Sequence, residues 1–168
     1  MNIHPANGTI STDGDRASIQ FERRFPHSID KVWSGLTDPA QLAQWFGHAV
    51  IDGRQGGEIL VEAGPQHIPV EVRRTKGRIL VWDPPHVLEY EWRQAIIEES
   101  TLRFELVADG NATILKLTHR WLSLRNAQGF APGWHAYLDR FAACLNGAEI
   151  ADWTALFGKY QPHYGWKA

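Results

Sequence analysis

One late segment, 133–147, constrains the fold more than any other. Trp134, Leu138, Phe141 and Leu145 recur there at helical spacing, with Tyr137 and Ala148 flanking the same stripe. Pro132-Gly133 punctuates its front, and Asn146-Gly147 supplies a C-cap signal at its back. Nearly everything upstream reads as short strands. A long amphipathic helix following such strands has to cover the apolar face of their sheet. Laid along a curved sheet, it either fills the space between them or leaves a pocket.

The upstream pattern supplies that sheet. Residues 1–16 are rich in Asn, Gly, Ser, Thr and Asp, which suits a flexible segment or a short strand from Gly8 turning back at Asp13-Gly14. From Ala17 to Phe25, Ile19, Phe21 and Phe25 alternate with polar residues, as in a half-buried strand. Two short helices follow: Ser28 caps one carrying Ile29, Val32, Trp33 and Leu36, and Asp38-Pro39 opens one carrying Leu42, Trp45 and Phe46. Strands are then expected at 48–51, 59–63, 70–74, 78–82, 87–93, 101–107 and 112–118, separated by Gly, Pro, Asp and Asn turns. Beyond Gly147, the residues Ile150, Trp153, Leu156, Phe157 and Tyr160 keep helical spacing into an aromatic tail ending at Trp166. The pattern is α+β, with helices on one face of an antiparallel sheet.

Charge and cysteine content exclude several functions. The formal net charge of -2 gives no footprint for nucleic acid. The local basic run Arg73, Arg74, Lys76 and Arg78 reads as a solvated sheet face. A single cysteine, Cys144, rules out an intramolecular disulfide and a cysteine-based metal cluster. The eight His lack metal-ligand spacing, and no phosphate-binding glycine loop or nucleophile elbow is present, so neither metal nor cofactor is expected. The start of the chain has no basic, apolar signal sequence and no stretch is long enough to span a membrane, so the expected location is cytoplasmic.

The eight Trp are the unusual feature. Trp fills cores and walls apolar pockets, and its N–H requires a partner when buried.

At this point the chain resembles a known family. Phe21-Glu22-Arg23-Arg24-Phe25, Lys31-Val32-Trp33, Leu36-Thr37-Asp38-Pro39 through Trp45-Phe46, Gly56-Gly57, residues 77–92, Leu115-Lys116-Leu117-Thr118-His119 and Gly133-Trp134 occur together in order. This set resembles the Hsp90-ATPase-activator-homologue family of the START-like, or SRPBCC, superfamily. The resemblance implies a helix-grip fold: a curved antiparallel sheet wrapped around a long C-terminal helix, two short helices after the first strand, and an apolar cavity between sheet and helix. It covers 17–147 as the domain and leaves 148–168 as an extension. It also implies a small hydrophobic molecule as partner. The family name comes from a eukaryotic chaperone activator and does not by itself give the function.

The cavity candidates are Trp45, Trp82, Tyr90, Trp92, Phe104, His119, Trp121, Trp134, Tyr137, Leu138 and Phe141. Trp121 stands where many relatives have a small residue, so an inward Trp121 would narrow the cavity. His119 and His135 are expected near its mouth, as hydrogen-bonded structural residues before general bases. The preferred reading is a non-enzymatic binder of a small hydrophobic or aromatic molecule. Two alternatives are a polyketide cyclase or aromatase-like enzyme using His119, His135 or Tyr90, and a chaperone-cofactor-like domain docking through an exposed 153–166 tail. That aromatic tail is also compatible with a homodimer.

Overall fold

A computed structural model describes residues 7–165. Met1–Ala6 and Trp166 to Ala168 lie outside the described residues, and with them part of the N-terminal segment and the end of the aromatic tail. Eight strands form one antiparallel sheet: β1 (Thr9–Asp13), β2 (Arg16–Phe25), β3 (Gly47–Ile51), β4 (Glu58–Ala63), β5 (Arg74–Asp83), β6 (Val87–Gln94), β7 (Ser100–Asp109) and β8 (Ala112–Leu122). Their order is β1-β2-β8-β7-β6-β5-β4-β3. The helices are α1 (Ile29–Thr37), α2 (Pro39–Trp45), α3 (Val70–Arg73), α4 (Leu124–Leu145) and α5 (Trp153–Tyr160), the last followed by a 3-10 turn, Gln161–Tyr164. This is the helix-grip arrangement, with α4 lying in the concave face of the sheet.

The two short helices form where their caps require. The Ser28 hydroxyl accepts from the Lys31 N–H, and the Asp38 carboxylate accepts from the Ala40 N–H ahead of α2. Together they fill one end of the space under α4. Leu36, Leu42 and Trp45 are buried there, Trp45 stacks on Phe141 with ring centroids 4.5 Å apart, and the Trp45 indole donates to the Gly35 carbonyl. The approach at Gly35 is so close that an added Cβ would sit 2.5 Å from the Phe141 ring. The residual void at this end measures about 10 Å³, at the lower limit for one water molecule. This end is packed solid.

The structure departs from the sequence expectation in three places. Residues 70–73 form the single helical turn α3 rather than a strand. Four residues alternating Val-Glu-Val-Arg are too few for periodicity to decide, and Pro69 at the N-cap favours the turn. Helix α4 starts at Leu124, well before Pro132. Ser123 caps it by accepting from the Asn126 N–H, and the Glu98 carboxylate reinforces that end by accepting from the Ser123 N–H at 2.5 Å and the Asn126 amide at 2.8 Å. A proline inside a helix costs roughly 3 kcal/mol. Burial of Ala127, Ala131, Trp134 and Leu138 on the same helix offsets that cost.

The third departure is Trp121. Ala17 pairs with Leu122 but Ile19 with His119, so β8 carries one extra residue between these pairs. This bulge moves every following side chain to the opposite face. His119 points inward, Trp121 outward at 55% exposure, and Leu122 inward again. Trp121 adopts a left-handed backbone with φ of 72°.

The segment after Gly147 folds back on α4. Asp139 of α4 accepts from Arg23 of β2 at 3.1 Å and from the Tyr160 hydroxyl. His135 stacks on Tyr160 and bonds the Tyr164 hydroxyl at 2.8 Å, which in turn accepts from the Gly8 N–H. Residues 153–164 are therefore clamped to the domain, and Tyr164 is buried.

Candidate functional site

The end of α4 opposite α1 and α2 is not filled. A cavity of about 450 Å³ lies there between the sheet, the first half of α4 and α5. Trp92 of β6 and Ala63 of β4 form its floor. Gly129, Phe130, Gly133, Trp134 and Tyr137 of α4 form one wall. Trp153 and Phe157 of α5 border it on the far side, Arg73 reaches in from α3, and Ile68 and Ile97 come in from two loops. The lining is overwhelmingly apolar, with Gln94, Asn126, Arg73 and Tyr137 as its polar members.

Gly133 sets the fit of the covering helix. The Trp153 indole donates to the Gly133 carbonyl at 3.3 Å, and a Cβ on Gly133 would come within 3.3 Å of the Trp153 ring. Trp153 and Phe157 stack on each other, and Trp153 also packs against Tyr137 at 5.5 Å.

Behind Trp134 lies a buried polar chain. The Trp134 indole donates to Nδ1 of His119 at 3.1 Å, and Nε2 of His119 lies 2.8 Å from the Ser100 hydroxyl. Because Nδ1 accepts from an indole N–H, the proton of the neutral ring belongs on Nε2. That Nε2–H donates to Ser100, whose own proton points to the Trp92 carbonyl. Ser100 therefore meets a donor rather than a base, the reverse of nucleophile activation. Burial pushes the His119 pKa down to about 3, only partly opposed by the negative charge of Glu98. The chain fixes the indole of Trp134, and hence one cavity wall, between three strands and the helix.

The sequence candidates divide accordingly. Trp92, Trp134 and Tyr137 line the cavity, and His119 holds Trp134 from behind. Trp45, Tyr90 and Phe104 instead surround the 10 Å³ void at the packed end. Leu138 and Phe141 are wholly buried in the core. Trp82 packs edge-on to Trp33 at 5.2 Å, away from the cavity. Trp121 is corrected outright: the bulge places it on the outer face beside Leu80 and Arg93, so it does not narrow the cavity. His135 lies behind α4 against Phe21 and the tail. Sequence reasoning missed Phe130, Trp153, Phe157 and Arg73. The helical spacing through 153–160 was the available signal for two of them, while Arg73 was assigned to the solvated face that Arg74, Lys76 and Arg78 do occupy.

Among the described residues, no group of three or more His, Cys, Asp or Glu is placed to hold a metal ion, and no helix is long and apolar enough to cross a membrane.

Comparison with known proteins places this geometry. The family model described as activator of Hsp90 ATPase homolog 1-like protein matches residues 26–146. The chain belongs to this family. Its structural neighbours share the helix-grip fold. The crystal structure of CalU16 from Micromonospora echinospora has a TM-score of 0.73 at 24% identity, covering 94% of this chain and 92% of that one. The protein encoded by BPP1335 from Bordetella parapertussis has a TM-score of 0.74 at 25% identity, with coverages of 96% and 91%. DynU16, from the dynemicin biosynthetic locus, has a TM-score of 0.66 at 22% identity, covering 77% of this chain and 47% of that one. No curated protein gave a significant match.

Proposed function

We propose that this protein binds one small, largely apolar molecule in the cavity between the sheet, α4 and α5. The observation that carries the reading is the contrast between the two ends of one core. A single helix packs to a 10 Å³ void at one end and leaves about 450 Å³ at the other. Protein interiors are close-packed by default, so an aromatic-walled space of this size reads as a binding site. Its volume falls in the range of roughly 300–1,000 Å³ usual for small-molecule pockets. The origin of DynU16 in a biosynthetic locus is in keeping with a small-molecule ligand.

The same geometry supports binding over catalysis. The Ser100–His119 pair is oriented against proton abstraction and lies behind the cavity wall. Burial pushes the Tyr137 hydroxyl well above its usual range; hydrogen bonding by the Gly64 backbone and the charges of Arg140 and Arg73 act the other way without reversing it. A neutral phenol in such a place donates or accepts a hydrogen bond and orients a ligand.

Pyrenebutanol, a flat apolar alcohol with its own fluorescence, tests the reading by titration. Gly129→Leu adds bulk to the helical wall at a position where Leu also favours the helix. The expected result is saturable one-to-one binding to the wild type and loss of about tenfold or more in affinity in Gly129→Leu, with the fold of the variant checked by circular dichroism. Equal affinity in both proteins would place binding elsewhere and end the proposal.

A further inference from the structure

The apolar cavity does not end at Tyr137. Gly64, Arg73, Tyr137 and Trp153 also border a second space of about 340 Å³, whose other walls are mostly polar and include His48, Glu62, Gln66 and Arg140. The two spaces meet at these four residues. One is apolar and the other polar, and two guanidinium groups face the second.

Neither guanidinium is neutralised by a carboxylate among the described residues. Arg73 donates from Nε to the Ile68 carbonyl at 3.1 Å, and its terminal nitrogens have no protein partner there. Arg140 spends its hydrogen bonds on backbone carbonyls, those of Trp45, Gln44 and Ala151. These bonds engage each of its three nitrogens but leave its positive charge uncompensated. The one carboxylate of the space, Glu62, is taken up by Arg74, whose Nη2 lies 2.7 Å from it. The space thus carries a surplus of positive charge beside the Tyr137 hydroxyl, and both arginines act electrostatically on that hydroxyl.

We infer that the ligand is an amphiphile with an anionic head group: its apolar body lies in the larger cavity and a carboxylate sits in the adjoining space, paired with Arg73 and oriented by Tyr137. This rests on the binding function proposed above and adds the chemical class of the ligand. Arg73 is suited to the role because its free terminal nitrogens present the forked donor geometry that matches a carboxylate. Its position in the one-turn helix α3, flanked by Pro69 and the β5 strand, holds it at the junction. Arg140 supplies long-range charge, since each of its nitrogens is already bonded to a backbone carbonyl.

The test compares two probes with the same body, pyrenebutyrate and pyrenebutanol, against wild type and Arg73→Gln. Gln places its amide nitrogen where Nε stood, so it can keep the bond to the Ile68 carbonyl while removing the charge and the terminal nitrogens. Arg140 is left intact because its carbonyl bonds join α2, α4 and the approach to α5. The expected result is that wild type binds the acid about tenfold more tightly than the alcohol, as a partly exposed charge-assisted pair would give. In Arg73→Gln that preference falls to within about threefold, because the affinity for the acid drops by more than the affinity for the alcohol. Equal affinities for acid and alcohol in the wild type would overturn the anionic head and leave the apolar cavity standing. A preference that survives in Arg73→Gln would overturn the assignment to Arg73. Failure of both probes to bind would instead overturn the cavity reading itself.

Discussion

Trp134→Phe separates the hydrogen-bonding role of this residue from its bulk. In the folded protein its indole N–H is the donor to His119 Nδ1 at 3.1 Å, and both groups are buried. Phenylalanine keeps an aromatic ring in the cavity wall but leaves Nδ1 without a donor. An orphaned buried acceptor costs about 1–3 kcal/mol. The lost ring atoms, equivalent to one or two buried methylenes, add about 1 kcal/mol. The sum, about 2–4 kcal/mol, is a large share of the 5–15 kcal/mol typical of a domain. It corresponds to a fall in Tm of about 5–15 °C. Urea denaturation of Trp134→Phe, His119→Leu and the double variant closes a cycle in which the coupling should be about 1–2 kcal/mol, since the two groups share one bond. A coupling below about 0.3 kcal/mol, within the usual error of additivity, would show that the indole and imidazole do not depend on each other and would refute the reasoning.

The same imidazole predicts a pH dependence. With the folded pKa of His119 near 3 and an unfolded value near 6.5, the unfolded state binds the extra proton between these limits. Stability is then full above about pH 6.5 and lost as pH falls, by up to about 1.4 kcal/mol per pH unit from this group. Denaturation midpoints at pH 7, 6 and 5 compared between wild type and His119→Leu check it; parallel curves would count against a neutral buried ring. Trp121→Gly tests the bulge. Relief of a bulky residue from left-handed backbone, worth about 1–3 kcal/mol, is set against lost surface packing and glycine's extra entropy. A net change between zero and about 1 kcal/mol of added stability is expected, whereas a loss near 3–5 kcal/mol would indicate an inward, core Trp121.

How much of this was legible in the sequence depended on whether the signal was local. The α1–α2 hairpin was readable from Ser28 and Asp38-Pro39 because caps act within three residues. The Asp109-Gly110-Asn111 turn likewise fixed the β7–β8 hairpin, whose last pair is Asp109 with Ala112. The start of α4 was misjudged because Pro132 is a local stop signal, while the burial that overrides it comes from the sheet. Trp121 was misplaced because strict alternation assumes an unbroken ladder, and one extra residue in β8 is invisible to it. The site suffered most from this limit. Aromatic enrichment pointed to a pocket but could not tell Trp92 and Trp134 at the open end from Trp45 and Phe104 at the packed end. That distinction depends on where α1, α2 and α5 press against α4, which is a matter of tertiary contact. Trp153 and Phe157 were read as part of a free tail for the same reason, because the Arg23–Asp139–Tyr160 clamp joins residues far apart in the chain.

The central claim is that a small apolar molecule occupies the open end of the core, and the indole N–H signals of the protein report on it directly. Each Trp side chain contributes one resolved signal in a nitrogen–proton correlation spectrum, and the residues concerned are distributed between the two ends and the two faces of the sheet. On titration with pyrenebutanol, the signals of Trp92, Trp134 and Trp153 should move together and saturate. Those of Trp33, Trp45, Trp82 and Trp121 should stay in place. No movement at millimolar probe, or movement centred on Trp121 at the outer face, would contradict the account.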